Sequence, residues 1–119
     1  MVTNGDAKKI VGTFDGVYFA DPAYDSVSKE LKEFFDSYNT KYGHAPQIPF
    51  HSASTYDSLN MLVMAIHKVG DDSVKVHDWI LANIKNYKGL MGTYSLDSKG
   101  NSDLGFKIKR IEGDNNIEI

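Results

Sequence analysis

The chain has 119 residues, 41% of them apolar, with seven Tyr and six Phe, a composition that belongs to an ordered domain and not to a disordered tract. Its formal net charge of −3 is the balance of both signs scattered along the sequence, which argues against nucleic acid or an anionic membrane as the main partner. The absence of cysteine rules out a disulfide scaffold and thiolate zinc sites, and no apolar run approaches the ~18 residues that span a bilayer.

Residues 1–9 are polar, carry an Asn4-Gly5 turn signal and read as a frayed, disordered start with no apolar signal-peptide core. Ile10 to Phe14 leads into Gly16-Val-Tyr-Phe-Ala20, a β-branched and aromatic run that predicts a strand, and Asp21-Pro22 ends it. Val27, Leu31, Phe34, Phe35, Tyr38 and Tyr42 recur at helical spacing, with Asp25 or Ser26 as cap and Gly43 as stop. A second helix is expected from Ser54, where Ser54-x-x-Asp57 resembles a capping box, through the unbroken apolar run Met61–Ile66 to Gly70. That run predicts cover on more than one side. Val76, Trp79, Ile80, Asn83, Ile84 and Tyr87 form the stripe of a third helix, capped by Asp72 or Ser73 and ending at Gly89.

Beyond Gly89 the period changes from 3.6 to 2. Gly92–Leu96 and Gly105–Ile111 read as strands around the turn Asp97–Asn101, and Ile117–Ile119 as a last short strand after Glu112–Asn116. The expected class is α/β: one strand, three helices, then two or three antiparallel strands.

The four histidines (His44, His51, His67, His77) include no i, i+3 or i+4 pair, so a helical zinc site is not predicted. Acidic residues alternate in Asp97–Asp103, but Lys99 takes a ligand position and no glutamate stands at the twelfth place, so a plain turn is preferred to a calcium loop. Lys107, Lys109 and Arg110, the densest basic cluster, divide between the two faces of a strand. Neither a nucleophile elbow nor a phosphate loop occurs, and no acid, base and nucleophile converge, so an enzyme is not expected. The aromatics Tyr18, Phe19, Tyr24, Phe50 and Tyr56 stand at strand–loop or loop–helix junctions, where pockets of α/β proteins form.

Several of these pieces, in order, carry a resemblance. They are Gly16–Ala20, the helix ending Tyr38-Asn-Thr-Lys-Tyr-Gly43, and Thr55-Tyr-Asp57 opening the apolar helix. The run Tyr87-Lys-Gly-Leu-Met-Gly-Thr-Tyr-Ser-Leu-Asp97-x-x-Gly-Asn101 follows, ahead of Ile108…Ile111-x-Gly113. Together they resemble the C-terminal segment of the type I periplasmic solute-binding proteins, the branched-chain amino-acid-binding family that feeds ABC importers.

The resemblance implies a partial two-lobe fold. Residues 10–24 and 97–119 would belong to the second lobe with its hinge segments, marked by Asp21, Pro22, Asp97 and Gly100. Residues 25–96 would belong to the first. It implies capture of a small ligand, an amino acid or a relative of one, without cofactor or metal. The partners would be ABC transporter membrane subunits or, alternatively, a membrane receptor of which this is the sensing region. The compartment would be periplasmic or extracellular, with the signal upstream of these residues. His51 takes the position, five before the Tyr-Asp pair, where the family carries an aromatic that faces the ligand; Tyr24 and Tyr56 are further candidate contacts. Asn101 replaces the family's common aspartate. Without the family's earlier segments the Met61–Ile66 helix would be partly bare and a homodimer or domain swap a remedy, whereas an autonomous α+β interaction domain would bury that helix.

Overall fold

In the computed structural model, residues 14–113 and 115–119 are described; the expected frayed start, the strand residues from Ile10 and the middle of the last turn lie outside them. Two compact units emerge. One is Tyr24–Leu104; the described part of the other is residues 14–23, 105–113 and 115–119.

The Tyr24–Leu104 unit holds three helices and a hairpin. Helix α1 (Lys29–Tyr42) starts two or three residues later than expected, capped by Ser28, whose hydroxyl accepts from the Leu31 amide at 3.2 Å. Asp25 instead turns its carboxylate onto the Val27 amide. Gly43 ends the helix in the left-handed conformation at φ 75°, its N–H bonded to the Asn39 carbonyl, as its position predicts.

Helix α2 (Pro49–Val69) corrects the expected start at Ser54. Proline lacks the N–H that a first turn cannot use and presets the helical φ, so the helix begins at Pro49. Ser54 then lies inside it, its hydroxyl donating to the His51 carbonyl. Ala53, Asp57, Met61 and Ala65 are buried along a single i, i+4 stripe. The expectation of cover on more than one side is not met: Leu59, Leu62, Val63, Met64 and Ile66 are 38–57% exposed.

Helix α3 (Ser73–Asn83) is capped by Asp72, whose carboxylate accepts from the Val74 and Lys75 amides, both at 3.0 Å. It ends six residues before Gly89. Asn86 adopts φ 50°, a conformation that asparagine tolerates and that diverts the chain into a strand. Tyr87, read from its spacing as helical, therefore opens β2 (Tyr87–Gly89), which pairs antiparallel with β3 (Gly92–Tyr94) around the two-residue tip Leu90-Met91. Directly opposed Tyr87 and Tyr94 meet edge to face with ring centroids 5.7 Å apart. The core joins Leu31 of α1, Ala53 and Met61 of α2, Ile84 after α3, and Leu90, Met91 and Tyr94 of the hairpin. Half-buried Tyr24, Phe34, Phe50 and Trp79 close over it.

The second unit is a three-stranded antiparallel sheet in the order β1-β4-β5, built from β1 (Tyr18–Pro22), β4 (Phe106–Glu112) and β5 (Asn115–Glu118). Pro22 is the last residue of β1, on a strand with one described neighbour, where a missing donor costs least. Each member of the basic cluster has an acidic partner: Lys107 meets Glu118, Lys109 meets Asp21 and Arg110 meets Glu112. Phe106 and Ile108 are exposed.

Candidate functional site

Asp57 is the most unusual side chain of the Tyr24–Leu104 unit. It is 1% exposed, and its carboxylate accepts from the Leu90 amide at 2.7 Å, the Met91 amide at 3.0 Å and the Tyr94 hydroxyl at 3.3 Å. A carboxylate can lie this deep only when its lone pairs are met by donors, and three are present. The tip of the hairpin thus closes on the middle of α2. The Met91 carbonyl in turn accepts from the Asp25 amide at 3.1 Å, tying the entry to α1 to the same tip. Gly89 packs so closely on Asp57 that a Cβ there would collide with the carboxylate. The Tyr56-Asp57 pair of the sequence therefore has a structural role in its second member: it clasps a hairpin to a helix.

Burial, then the Asp57 charge and its hydrogen bond, push the Tyr94 hydroxyl far above the usual tyrosine value; burial and Asp57 also raise Tyr87. A raised folded-state value means the neutral phenol contributes stability that is complete below the unfolded value of about 10 and is lost as pH rises through the folded one. In an ultraviolet titration Tyr94 and Tyr87 should ionise above the ordinary tyrosine value, with unfolding coupled to Tyr94. Tyr94→Phe should lower stability by about 1 kcal/mol and reduce the alkaline slope. Ionisation of Tyr94 near pH 10 in the folded chain would contradict the clasp.

A second feature is an open cleft of about 510 Å³. Phe34 and Tyr38, one turn apart on α1, form one wall; His44, Gln47 and Ile48 of the α1–α2 connection form the floor; His51, Ser52 and Thr55 on the first turns of α2 complete it. Rings line up beside it: Tyr38 meets Tyr42 at a tilt with centroids 4.6 Å apart and His44 at 5.9 Å, while Phe34 meets Tyr56 at 5.1 Å.

Of the residues singled out from sequence, His51 lines this cleft, with its ring against the edge of Phe50 at 5.3 Å. Tyr56 stands beside it through Phe34 and is 44% exposed. Tyr24 does not line it; its ring packs on Phe50 at 5.8 Å and belongs to the core. Phe34, Tyr38, His44, Gln47 and Thr55 were not anticipated. The i, i+4 spacing of Phe34 and Tyr38 was a signal for them, but it reads equally as an ordinary core face.

The residues marked as hinge candidates fall in two settings. Asp21 and Pro22 pair with Lys107 and Phe106 in β1–β4. Asp97 accepts from the Lys99 and Asn101 amides and from the Asn101 side chain, all within 3.0 Å, and Gly100 takes φ 83°. The Asn101 bonds hold the Asp97 carboxyl below the usual aspartate range. An aspartate at 101 could not donate that side-chain bond, which gives the departure from the family pattern a physical sense. Asp103 accepts from the Ser95 amide at 2.6 Å, so the acidic turn is committed to its own backbone. Among the described residues no group of three or more His, Cys, Asp or Glu could hold a metal, and no helix is long and apolar enough to cross a membrane.

The comparisons with known proteins bear on this arrangement directly. Residues 2–103 match the protein family described as periplasmic binding protein. The chain belongs to that family. No curated protein sequence matches it at a significant level. Among solved structures, a leucine binding protein from Thermotoga maritima superposes with a TM-score of 0.73 at 20% identity, over 98% of this chain and 33% of that one. The branched-chain amino acid transporter substrate binding protein of Streptococcus pneumoniae, in complex with isoleucine, gives 0.69 at 22% identity over 96% and 32%. A solute binding protein of an ABC transporter from R. palustris, in complex with benzoate, gives 0.67 at 17% over 95% and 32%. At these identities the likeness shows the fold, a mixed α/β partial periplasmic-binding-protein fold. The chain spans about a third of the length of these structures. Periplasmic binding proteins are solute-binding and non-enzymatic as a family, work with ABC transporters and act outside the cytoplasm.

Proposed function

We propose that this chain is a non-catalytic part of a solute-binding protein that captures a small ligand, an amino acid or a related organic acid, in the periplasm or outside the cell for an ABC importer. The observation that carries the proposal is the bare apolar face of α2. Leu59, Leu62, Val63, Met64 and Ile66 stand 38–57% exposed on a helix that an autonomous domain would have to bury. A chain that spans a third of its structural relatives leaves two-thirds of such a fold to supply the cover. The same reading takes Tyr24–Leu104 as part of one lobe and the sheet β1-β4-β5 as part of the other. The chain runs from one unit to the other after Ala23 and again after Leu104, so the hinge segments would be those following Asp21-Pro22 and Asp97–Gly100. His51 would be the principal ligand contact of this chain, with Tyr56 beside it; Tyr24 would act only from behind, through its packing on Phe50. The R. palustris relative binds benzoate and the S. pneumoniae relative isoleucine, which supports a small carboxylate as the ligand class.

Within the Tyr24–Leu104 unit the cleft is lined by no Arg, Lys, Asp or Glu, so it offers no carboxylate for an ammonium and no Arg or Lys for a carboxylate. Those groups would come from the rest of the protein, and this chain should hold only part of a site. A thermal-unfolding scan with free amino acids and benzoate tests this. At about 100 times a micromolar dissociation constant, ligand on a complete site would add ~2.7 kcal/mol. The expected result is a cooperative transition that no ligand in the panel moves by such an amount. A shift of that size would mean a complete site and would overturn the partial-site reading.

A further inference from the structure

Resting on that reading, the charge of the cleft beside His51 depends on its two histidines. Of its lining residues only His44 and His51 can become cationic, and imidazole is the side chain that gains charge between pH 5 and 8. His44 Nδ1 lies 2.9 Å from the Ala45 carbonyl oxygen. In an imidazolium both nitrogens donate, so that carbonyl takes one N–H and Nε2–H is left for a ligand. Gln47, Thr55 and the Tyr38 hydroxyl line the same space, and each can donate to an anion as well. The cleft also meets the start of α2, which has no side-chain cap, and an anion there satisfies the helix end and both imidazoles together. No carboxylate competes for them. The acids of α1, Glu30, Glu33 and Asp36, are not among the lining, and Asp57, the one acid of α2, is committed to the hairpin tip. Lys41 lies over the Tyr42 ring at 5.3 Å, and the phenols around the cleft, Tyr24, Tyr38, Tyr42 and Tyr56, belong to a class that titrates near pH 10.

We propose that the ligand carries a carboxylate at the end that enters this cleft, that His44 and His51 grip it as imidazolium groups, and that capture therefore strengthens as pH falls. The rest of the protein holds the ligand's other end. Both imidazoles are exposed, so each contributes as an exposed ion pair does, about two- to fivefold in affinity. Binding and proton uptake are linked, so the carboxylate must favour the charged rings by the same factor.

The test follows the ring C–H signals of all four histidines of the whole chain by NMR between about pH 5.5 and 8, with glutamate as probe against glutamine at matched ionic strength. The two probes share a head group and nearly a shape, and differ in the charge at the far end. A two- to fivefold preference for imidazolium raises a titration midpoint, extrapolated to saturation, by about 0.3–0.7 of a pH unit. His44 and His51 should move by that amount with glutamate and stay with glutamine. His67, in the last turn of α2, and His77, on α3, are the internal controls and should move with neither. His51→Gln should weaken glutamate about two- to fivefold near pH 5.5 and leave its affinity near pH 8 unchanged, which a purely structural role would not do. Equal movement of all four histidines, equal movement with glutamine, or none at about 100 mM glutamate would overturn the carboxylate. Cleft amides that respond alike to both amino acids would remove the acidic preference and leave solute capture standing, since that reading is tested separately by the size and location of the native protein.

Discussion

Asp57→Ala should be the most damaging single substitution in the Tyr24–Leu104 unit, lowering stability by about 3–5 kcal/mol in chemical denaturation. Three donors converge on this carboxylate: the Leu90 and Met91 amides and the Tyr94 hydroxyl. Alanine leaves all of them buried without an acceptor and opens a void beneath the hairpin tip. Asp57→Asn is the sharper probe because it keeps the shape. Its amide offers one oxygen to two backbone N–H groups and turns an NH₂ towards the other, so it should still cost about 2 kcal/mol. Amide hydrogen exchange at Leu90 and Met91 should accelerate in both variants. A loss under about 1 kcal/mol for Asp57→Ala would mean that the contacts are incidental.

Gly89→Ala should come next, and for a different reason. Gly89 is not a left-handed glycine; what forbids a side chain is the Asp57 carboxylate, with which a methyl group would overlap. Overpacking costs about 1–3 kcal/mol, and here the displaced group also surrenders its hydrogen bonds, so the upper end or beyond is expected. The two substitutions share one volume and should not add. In an Asp57→Ala background the methyl enters space already vacated, so Gly89→Ala should then cost little or even recover stability. Additive losses would show that Gly89 matters for its backbone freedom and not for its closeness to Asp57.

This clasp also marks where sequence reading stopped. Helix α1 was legible because its signals are local: Leu31 and Phe35 on one face and Gly43 past the end. The start of α2 was misread because Ser54-x-x-Asp57 imitates a capping box, while the stronger cue, Pro49 at the first helical position, lay five residues earlier. Tyr87 keeps helical phase although α3 ends at Asn83 and Asn86 has already turned the chain into a strand. A carboxylate in an apolar run invited a terminal role. Its partners stand 33, 34 and 37 residues away, and no periodicity reports contacts of that range. His51 was reached through the family pattern. The rest of its cleft arises from two helices meeting, which composition does not encode.

The bare face of α2 and the coverage of one-third of the structural relatives both bear on a single claim, that this chain works as part of a longer solute-binding protein. The most direct test is the size and location of the native protein. Antibodies raised against this chain should detect, in fractionated cells of its source, an exported species of roughly three times the 13.3 kDa of these residues. A cytosolic species of 13.3 kDa would contradict the account and return the chain to the class of autonomous interaction domains.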